Sequence, residues 1–377
     1  MDEVINNRIK RALDIVREED ADALLVFNHE LSGQPGTRYL SGFSGTESVL
    51  LVAEGGRFIF TDGRYFSRVK EECQGFKLVP AGGASFWEEF KKISGRLSLK
   101  KIIFDSARTS YGQISRLNEK IEGISAVGID NVLQKIRIIK DETELAKIKK
   151  AVSISAKSFK ELMPFIKEGI TENELAWKLE MLMRENGAEK ISFELIVASG
   201  PNGAKPHAKA SDRKIRKGEL ITLDFGCCFD GYASDVTRTV ALGPVSGKLS
   251  EIYETVKTAQ ELGCKAVKAG IAGMEIDKIC RDYISGKPAR RSLGAGGGYS
   301  EYFLHGTGHG VGMEVHELPH VSGGNKEPLP ENSVITVEPG IYIEGLGGVR
   351  IEDTIVVKKG GGVNLSGELL PKELIVL

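Results

Sequence analysis

Ile221–Asp235 reads ITLDFGCCFDGYASD, with acids at Asp224 and Asp235 that bracket an Asp230-Gly231 pair. The apolar run Leu220–Phe225 alternates as a strand does, which puts Thr222 and Asp224 on one face. Asp-Gly is a strong two-residue turn signal, so a second strand is expected to return antiparallel through Asp235, Thr237 and Thr239. Such a hairpin aims one carboxylate from each arm at the same place. Two anions converging inside a fold are costly unless a cation sits between them, so the stretch predicts a metal site.

A second copy of the pattern lies downstream. Val334–Gly340 (VITVEPG) aligns with Leu220–Gly226 (LITLDFG) at an offset of 114, placing Glu338 in the slot of Asp224. Glu352–Val356 (EDTIV) aligns with Asp235–Thr239 (DVTRT) at an offset of 117, placing Glu352 in the slot of Asp235. An internal duplication of this period is too long for a solenoid and predicts two related hairpins that give four carboxylates to one centre. A lone acid among the 52 Asp and Glu of the chain would be read as a solvated surface charge. Four at matched strand positions are not read that way.

Composition sets the outer bounds. A chain of 377 residues can bury two full cores. A net charge of −1 gives no electrostatic case for nucleic acid or an anionic membrane as partner. The opening Met1-Asp2-Glu3 lacks a basic segment followed by an apolar one, and no apolar run approaches the roughly 18 residues of a membrane-spanning helix. Five cysteines, with Cys227 and Cys228 adjacent, suit no ordinary disulfide framework, and a reducing, cytoplasmic setting is expected.

The N-terminal third alternates strands and helices. Helical spacing at Ile5, Ile9, Leu13 and Val16 is followed by an apolar strand at Ala23–Phe27. Val49–Val52 and Phe58–Thr61 flank Glu54-Gly55-Gly56-Arg57 as a hairpin. Further helices are expected near Tyr65–Glu71, Phe86–Ile93 and from Tyr111, and strands at Lys77–Pro80 and Lys101–Asp105. An α/β domain over residues 1–130 results. It has one histidine, His29, no glycine-rich phosphate loop and no catalytic constellation. Its expected role is structural, or to limit access to a site elsewhere.

Residues 131–377 read as an α+β second domain. Asp141 caps a long helix ending at Pro164, the candidate domain junction, and Thr171 with Glu174 forms a capping box for a helix closing at Asn186-Gly187. Helices near Ser250–Lys268 and Met274–Ile284 repeat the theme before a glycine-rich stretch at Gly294–Gly298. Each half thus gives helices and then an acid-bearing hairpin. Together they predict a curved antiparallel sheet covered by helices, with the four acids on its open face.

Five of the six histidines, His207, His305, His309, His316 and His320, fall in this domain. Imidazoles beside patterned acids can ligate a metal or donate to an oxyanion. His316-Glu317-Leu318-Pro319-His320 satisfies the letter of the helical His-Glu-x-x-His zinc motif. Pro319 would cost such a helix about 3 kcal/mol, and glycines crowd both flanks, so the match is read as accidental.

Asp224, Asp235, His309, Glu338 and Glu352 resemble the five metal ligands of the pita-bread metallopeptidases, a family that includes methionine aminopeptidase, Xaa-Pro aminopeptidase and prolidase. The motifs that carry the likeness are Asp-Phe-Gly with Ser-Asp-Val-Thr-Arg-Thr, His-Gly-x-Gly-His-Gly-x-Gly with Val-His-Glu, Val-Glu-Pro-Gly, and Val-Arg-Ile-Glu-Asp. The separate N-terminal domain, with Arg38–Phe43 (RYLSGF) and Thr61–Tyr65 (TDGRY), resembles the proline-specific branch. The resemblance implies two divalent metal ions, with Asp224 on one, His309 and Glu338 on the other, and Asp235 and Glu352 bridging. One nitrogen among many carboxylate oxygens suits manganese, with cobalt or zinc as alternatives. It further implies that the metals activate a water for hydrolysis of the bond before a proline in second position. Glu338 would take the proton of that water, His316 would donate to the oxygen of the tetrahedral intermediate, His207 and His305 would line the cleft, and Arg350 would orient Glu352. His320 receives no role. An Xaa-Pro aminopeptidase is the expected activity, with prolidase and a non-catalytic peptide-binding module as alternatives. A homodimer is expected from the family.

Overall fold

A computed structural model describes residues 2–30, 33–82, 85–286 and 298–377. The chain divides into two compact units, Met1–Arg137 and Ile138–Leu377. Among the described residues no helix is long and apolar enough to cross a membrane.

In the first unit the order is α1 (Asp2–Glu18), β1 (Ala23–Asn28), α2 (Pro35–Ser41), β2 (Ser48–Ala53), β3 (Gly56–Thr61), α3 (Phe66–Glu72), β4 (Lys77–Pro80), α4 (Ser85–Arg96), β5 (Lys101–Asp105), α5 (Tyr111–Lys120), β6 (Ser125–Ile129) and α6 (Val132–Arg137). Six strands form one sheet in the order β4-β3-β2-β1-β5-β6. Only β2 runs against the others, because a two-residue turn joins it to β3 with Ala53 opposite Gly56. Alternation sends Leu25, Phe27, Leu51, Phe58 and Phe60 to one face, where Phe90 and Ile93 of α4 and Leu117 of α5 cover them. The sequence reading missed α2, β6 and α6. The first is only seven residues long and opens with Pro35-Gly36, which reads as a turn. Pro35 instead fills the first helical turn, where no backbone donor is needed, and Gln34 caps the Gly36 amide.

The second unit contains α7 (Glu142–Leu162), α8 (Glu172–Glu185), β7 (Lys190–Ile191), β8 (Ile196–Ser199), β9 (Glu219–Phe225), β10 (Cys227–Phe229), β11 (Tyr232–Ala233), β12 (Val236–Leu242), α9 (Gly247–Ala266), α10 (Gly273–Ser285), β13 (Gly308–Gly310), β14 (Glu317–Val321), β15 (Val334–Val337), β16 (Gly340–Ile343), β17 (Gly347–Arg350), β18 (Asp353–Val356) and β19 (Val363–Asn364). The expected Asp141 cap forms on α7, where Glu144 completes it as a capping box, and the expected Thr171–Glu174 capping box forms on α8. Most of the glycine-rich stretch at Gly294–Gly298 lies outside the described residues.

Each half buries its own helix pair against its own strands. Phe159, Leu175 and Leu179 of α7 and α8 pack on Ile221, Leu223, Phe225 and Val240, with the Phe159 and Phe225 rings stacked 5.5 Å apart. Ile252, Val256 and Ile276 of α9 and α10 pack in the same way on Ile335, Val337 and Ile355. The first unit is thus the expected α/β domain, and the second is α+β with the expected internal duplication.

The duplication is not a perfect copy. Thr222 pairs with Thr239 in the first hairpin. Its offset counterpart Thr336 pairs with Thr354, not with Val356. The second ladder is therefore slipped by two residues, and a slip of two keeps every side chain on its face. The strands also break into separate ladders in place of one continuous sheet, β12-β9-β8 in the first half and β14-β13-β15-β18-β19 in the second. The halves are stitched by the Glu352 amide donating to Thr237 O at 3.1 Å and by side chains, because Glu352 occupies the interruption between β17 and β18.

Candidate metal centre

The Asp-Gly signal forms the turn it predicts. Phe229 faces Tyr232 across it, and Asp230 and Gly231 both have positive φ, 46° and 77°, the mark of a tight hairpin turn that matches strand twist. Asp224 then stands near the end of β9, two residues from Thr222 on the face opposite the helix core, and Asp235 stands just ahead of β12. His309 is the centre of the three-residue strand β13. A Cβ added at Gly308 would overlap the Thr336 carbonyl, and one at Gly310 the Leu318 carbonyl, so β13 fits between β14 and β15 only with glycine on both sides of His309. Glu338 follows β15, where Thr336 Oγ1 accepts from the His309 amide at 3.1 Å and donates to Glu338 Oε1 at 3.3 Å.

These five side chains converge. Donor atoms of Asp224, Asp235 and Glu352 lie within 4.8 Å of one another, as do those of His309, Glu338 and Glu352. His309 Nε2 is 3.2 Å from Glu338 Oε1 and 3.5 Å from Asp235 Oδ2. Asp224 Oδ1, Asp235 Oδ1 and Glu352 Oε1 are buried without a hydrogen-bond partner, although Asp235 and Glu352 are only 4% and 1% exposed.

The charge balance of the cluster is unfavourable as it stands. Burial pushes the Asp235 carboxyl well above its ordinary range, and the charges of Glu352, Asp224 and Glu338 push it further. Glu352 is raised by burial and then by Glu338 and Asp224. Burial raises Asp224 against the pull of Arg350. Glu338 goes the other way, because the hydrogen bond and charge of His309 outweigh its burial. Orphaned acceptor oxygens and raised carboxyls are what a cation would relieve. The donor set, carboxylate oxygens with one imidazole, fits hard divalent cations.

Around the cluster lies a cavity of 450 Å³ whose walls include Phe193, Ile196, Pro206, His207, His305, His316 and Arg350. Arg350 is buried, donating to Asp224 Oδ2 at 2.5 Å, Tyr342 Oη at 2.6 Å and Pro206 O at 3.1 Å. Its carboxylate partner is therefore Asp224, and it approaches Glu352 through Thr237, whose hydroxyl accepts from Arg350 and donates to Glu352. The expectation that Arg350 orients Glu352 thus has only an indirect route, through Thr237. His305 Nε2 lies 2.8 Å from Tyr342 Oη, while the rings of His309 and His316 meet edge-on at 4.3 Å. Desolvation lowers His305 below the ordinary imidazole value, and desolvation with the charge of neighbouring His309 lowers the solvent-exposed His316. His207 projects from the loop after β8 and is exposed. His320 is exposed on β14, outside the cavity wall. Glu317–His320 is strand, not helix, with His316 in the bend before it, and Glu317 turns inward to pair with Lys140 at 2.8 Å.

Sequence reasoning overlooked Tyr342, which joins Arg350 to His305, and the threonines that hold the acids. Thr237 Oγ1 donates to Glu352 Oε2 at 2.7 Å, and Thr354 Oγ1 donates to the Asp235 carbonyl at 2.6 Å. Their matching places in Asp-Val-Thr and Glu-Asp-Thr were the available signal. No spacing rule points to Tyr342.

Residues 146–359 match metallopeptidase family M24, and residues 8–139 match the creatinase/prolidase N-terminal domain. An Xaa-Pro dipeptidase of Pyrococcus horikoshii is 37% identical over 97% of this chain and 98% of that protein. The structure of an Xaa-Pro dipeptidase from Bacillus anthracis superposes with a TM-score of 0.92 at 37% identity, covering 99% of this chain and 100% of that one. The structure of an X-Pro aminopeptidase from Thermotoga maritima superposes with a TM-score of 0.86 at 40% identity, covering 95% and 98%.

Proposed function

The chain belongs to metallopeptidase family M24, and from that footing we propose that it is an Xaa-Pro aminopeptidase, removing the first residue from peptides with proline second. The observation that carries the choice over prolidase is the want of a free cation for a dipeptide's terminal carboxylate. Lys209 and Arg350 are the only Lys or Arg among the described cavity-lining residues. Arg350 is committed to Asp224, and Lys209 sits at the mouth, 79% exposed and 3.4 Å from Glu194. A longer peptide needs no such partner.

Asp224, Asp235, His309, Glu338 and Glu352 would hold two divalent ions, manganese first and cobalt or zinc as alternatives. When bound, these supply a Lewis acid for the scissile carbonyl and lower the pKa of the attacking water. Glu338, kept ionised beside His309, is the carboxylate to take a proton in the attack. Neutral His316 retains an N–H to donate to the oxygen on which negative charge develops. Arg350 and Thr237 hold Asp224 and Glu352 in place. His305 and His207 line the cleft. The Xaa-Pro amide lacks the N–H that ordinary peptidases grip, and its ring fixes the backbone. Phe193, Ile196 and Pro206 offer that ring an apolar wall.

Prolidase is the second reading, favoured by Lys209 itself, which could leave Glu194 for the carboxylate of a bound dipeptide. A parallel assay of Xaa-Pro, Xaa-Pro-Ala and Xaa-Ala-Ala with product identification decides. Cleavage of Xaa-Pro-Ala supports the aminopeptidase. Cleavage of Xaa-Pro alone, lost in Lys209→Ala, moves the assignment to prolidase. Preference for Xaa-Ala-Ala overturns the proline reading, and inertness of the metal-loaded protein would leave a peptide-binding module. All five cysteines are free thiols, which supports a cytoplasmic setting, and light scattering will test the homodimer that the family reading implies.

A further inference from the structure

His207 stands on an exposed loop, so its position depends on the backbone beneath it. The segment from Ser199 to Ser211 puts Pro206, His207, Ala208 and Lys209 into the cavity wall. Both ends of that segment close on one buried carboxylate that has no place in the catalytic reading above. Glu172, the first residue of α8, is 0% exposed. Its Oε1 accepts from the Ser199 amide at 2.7 Å and the Ser199 hydroxyl at 2.8 Å. Its Oε2 accepts from Asn202 Nδ2 at 2.8 Å, the Ser211 hydroxyl at 2.6 Å and the Ser211 amide at 3.2 Å. Asn202 Nδ2 also reaches the Lys209 carbonyl at 3.1 Å, two residues from His207.

A dehydrated carboxylate is stable only with such donors around it, and the start of a helix favours its charge. The consequence is directional. The loop cannot leave without stripping a buried anion of its hydrogen bonds, so it is held closed from both ends. The Pro206 carbonyl receives Arg350 at 3.1 Å in the middle of the same segment. We infer that Glu172 is a positioning residue for the hydrolysis, acting through the loop on His207. This rests on the Xaa-Pro hydrolase reading given above.

Glu172→Gln is the probe. An amide keeps the shape but presents N–H groups to donors that need an acceptor. Hydrogen exchange at the Ser199 and Ser211 amides should accelerate at least ~10-fold, with β9 and β12 unchanged. The kcat/KM for an Xaa-Pro peptide should fall roughly 10- to 100-fold at wild-type metal content, the scale on which misplacing a cleft group acts. In a His207→Ala background the same change should cost less than about 3-fold, because the group it positions is gone. A residue that only stabilised the fold would lower activity by the same factor in both backgrounds, and that result overturns the inference. Unchanged exchange at Ser199 and Ser211 overturns it too. If Glu172→Gln does not fold, Asn202→Ala takes its place in both measurements with the same expectations. A wild type without activity on Xaa-Pro peptides would reject the hydrolase reading and with it the role assigned to Glu172, whereas accelerated exchange in that case would still locate the clamp.

Discussion

Thr237 Oγ1 lies 2.7 Å from Glu352 Oε2, so a hydroxyl from the first half of the duplicated domain satisfies a carboxylate of the second. Its counterpart Thr354 reaches back to the Asp235 carbonyl at 2.6 Å. Each half therefore anchors an acid-bearing residue of the other, Glu352 by its carboxylate and Asp235 by its backbone. Thr237→Val keeps the volume and removes the donor. Metal affinity should fall about 10- to 100-fold, the scale for losing a group that orients a ligand. Metal titration followed by activity checks it, and unchanged affinity would deny the threonine this role.

Chelation should abolish hydrolysis, with manganese or cobalt restoring it at about two equivalents per chain. Asp224→Asn removes charge from a proposed ligand, and elemental analysis should show metal content falling together with rate. Full activity in metal-stripped protein would end the proposed mechanism.

His316→Ala should fail in a different manner. Its ring touches His309 but is proposed to act on the developing oxyanion. The variant should retain wild-type metal content and lose about 100-fold or more in kcat. Loss of metal in parallel with rate would reassign His316 as a ligand.

Lys140 and Glu317 form an ion pair at 2.8 Å with side chains 0% and 1% exposed. Lys140→Met strands a buried carboxylate and should cost about 3–5 kcal/mol in urea unfolding. Adding Glu317→Leu to it should recover most of that loss, since a buried pair can be replaced by apolar groups of similar volume. A double variant no more stable than Lys140→Met would show that Glu317 has a second indispensable partner.

Asp105 is 2% exposed, and burial raises its carboxyl above the ordinary value against the amides of Leu133 and Ala107. A folded-state value above the unfolded one means the folded unit binds the proton more tightly. The contribution is fully present below the unfolded value and is lost as pH rises through the folded one. Asp105→Asn should flatten the fall in thermal stability of the first unit between acid and neutral pH. A pH profile identical to wild type would show that Asp105 does not titrate in that window.

The site was legible to the extent that it is written in strand pattern. Asp224 and Glu338 stand in matched apolar runs, and Asp235 and Glu352 precede matched Thr-containing strands. The helix pairs were legible through Asp141, Thr171 and the apolar spacing behind them. What escaped the reading depends on tertiary contact. Tyr342 lies in the plain apolar strand Gly340–Ile343 and acquires meaning only where it meets Arg350 and His305. Glu172 looks like an ordinary helix-start acid, since its partners from Ser199 to Ser211 are at least 27 positions away. The two-residue slip between the hairpins is invisible as well, because it moves no side chain to the wrong face.

The glycines on either side of His309 have a bearing on how the protein takes up its ions. With Thr336 and Leu318 carbonyls against those positions, sliding β13 by one residue would drive an imidazole into backbone. Steric exclusion thus fixes this imidazole before any cation arrives. Loading the centre then calls for little rearrangement of the chain, and swapping one divalent ion for another should leave the backbone where it is. Differences in turnover between manganese, cobalt and zinc forms would then report each ion's own acidity and coordination preference acting within the same rigid mould.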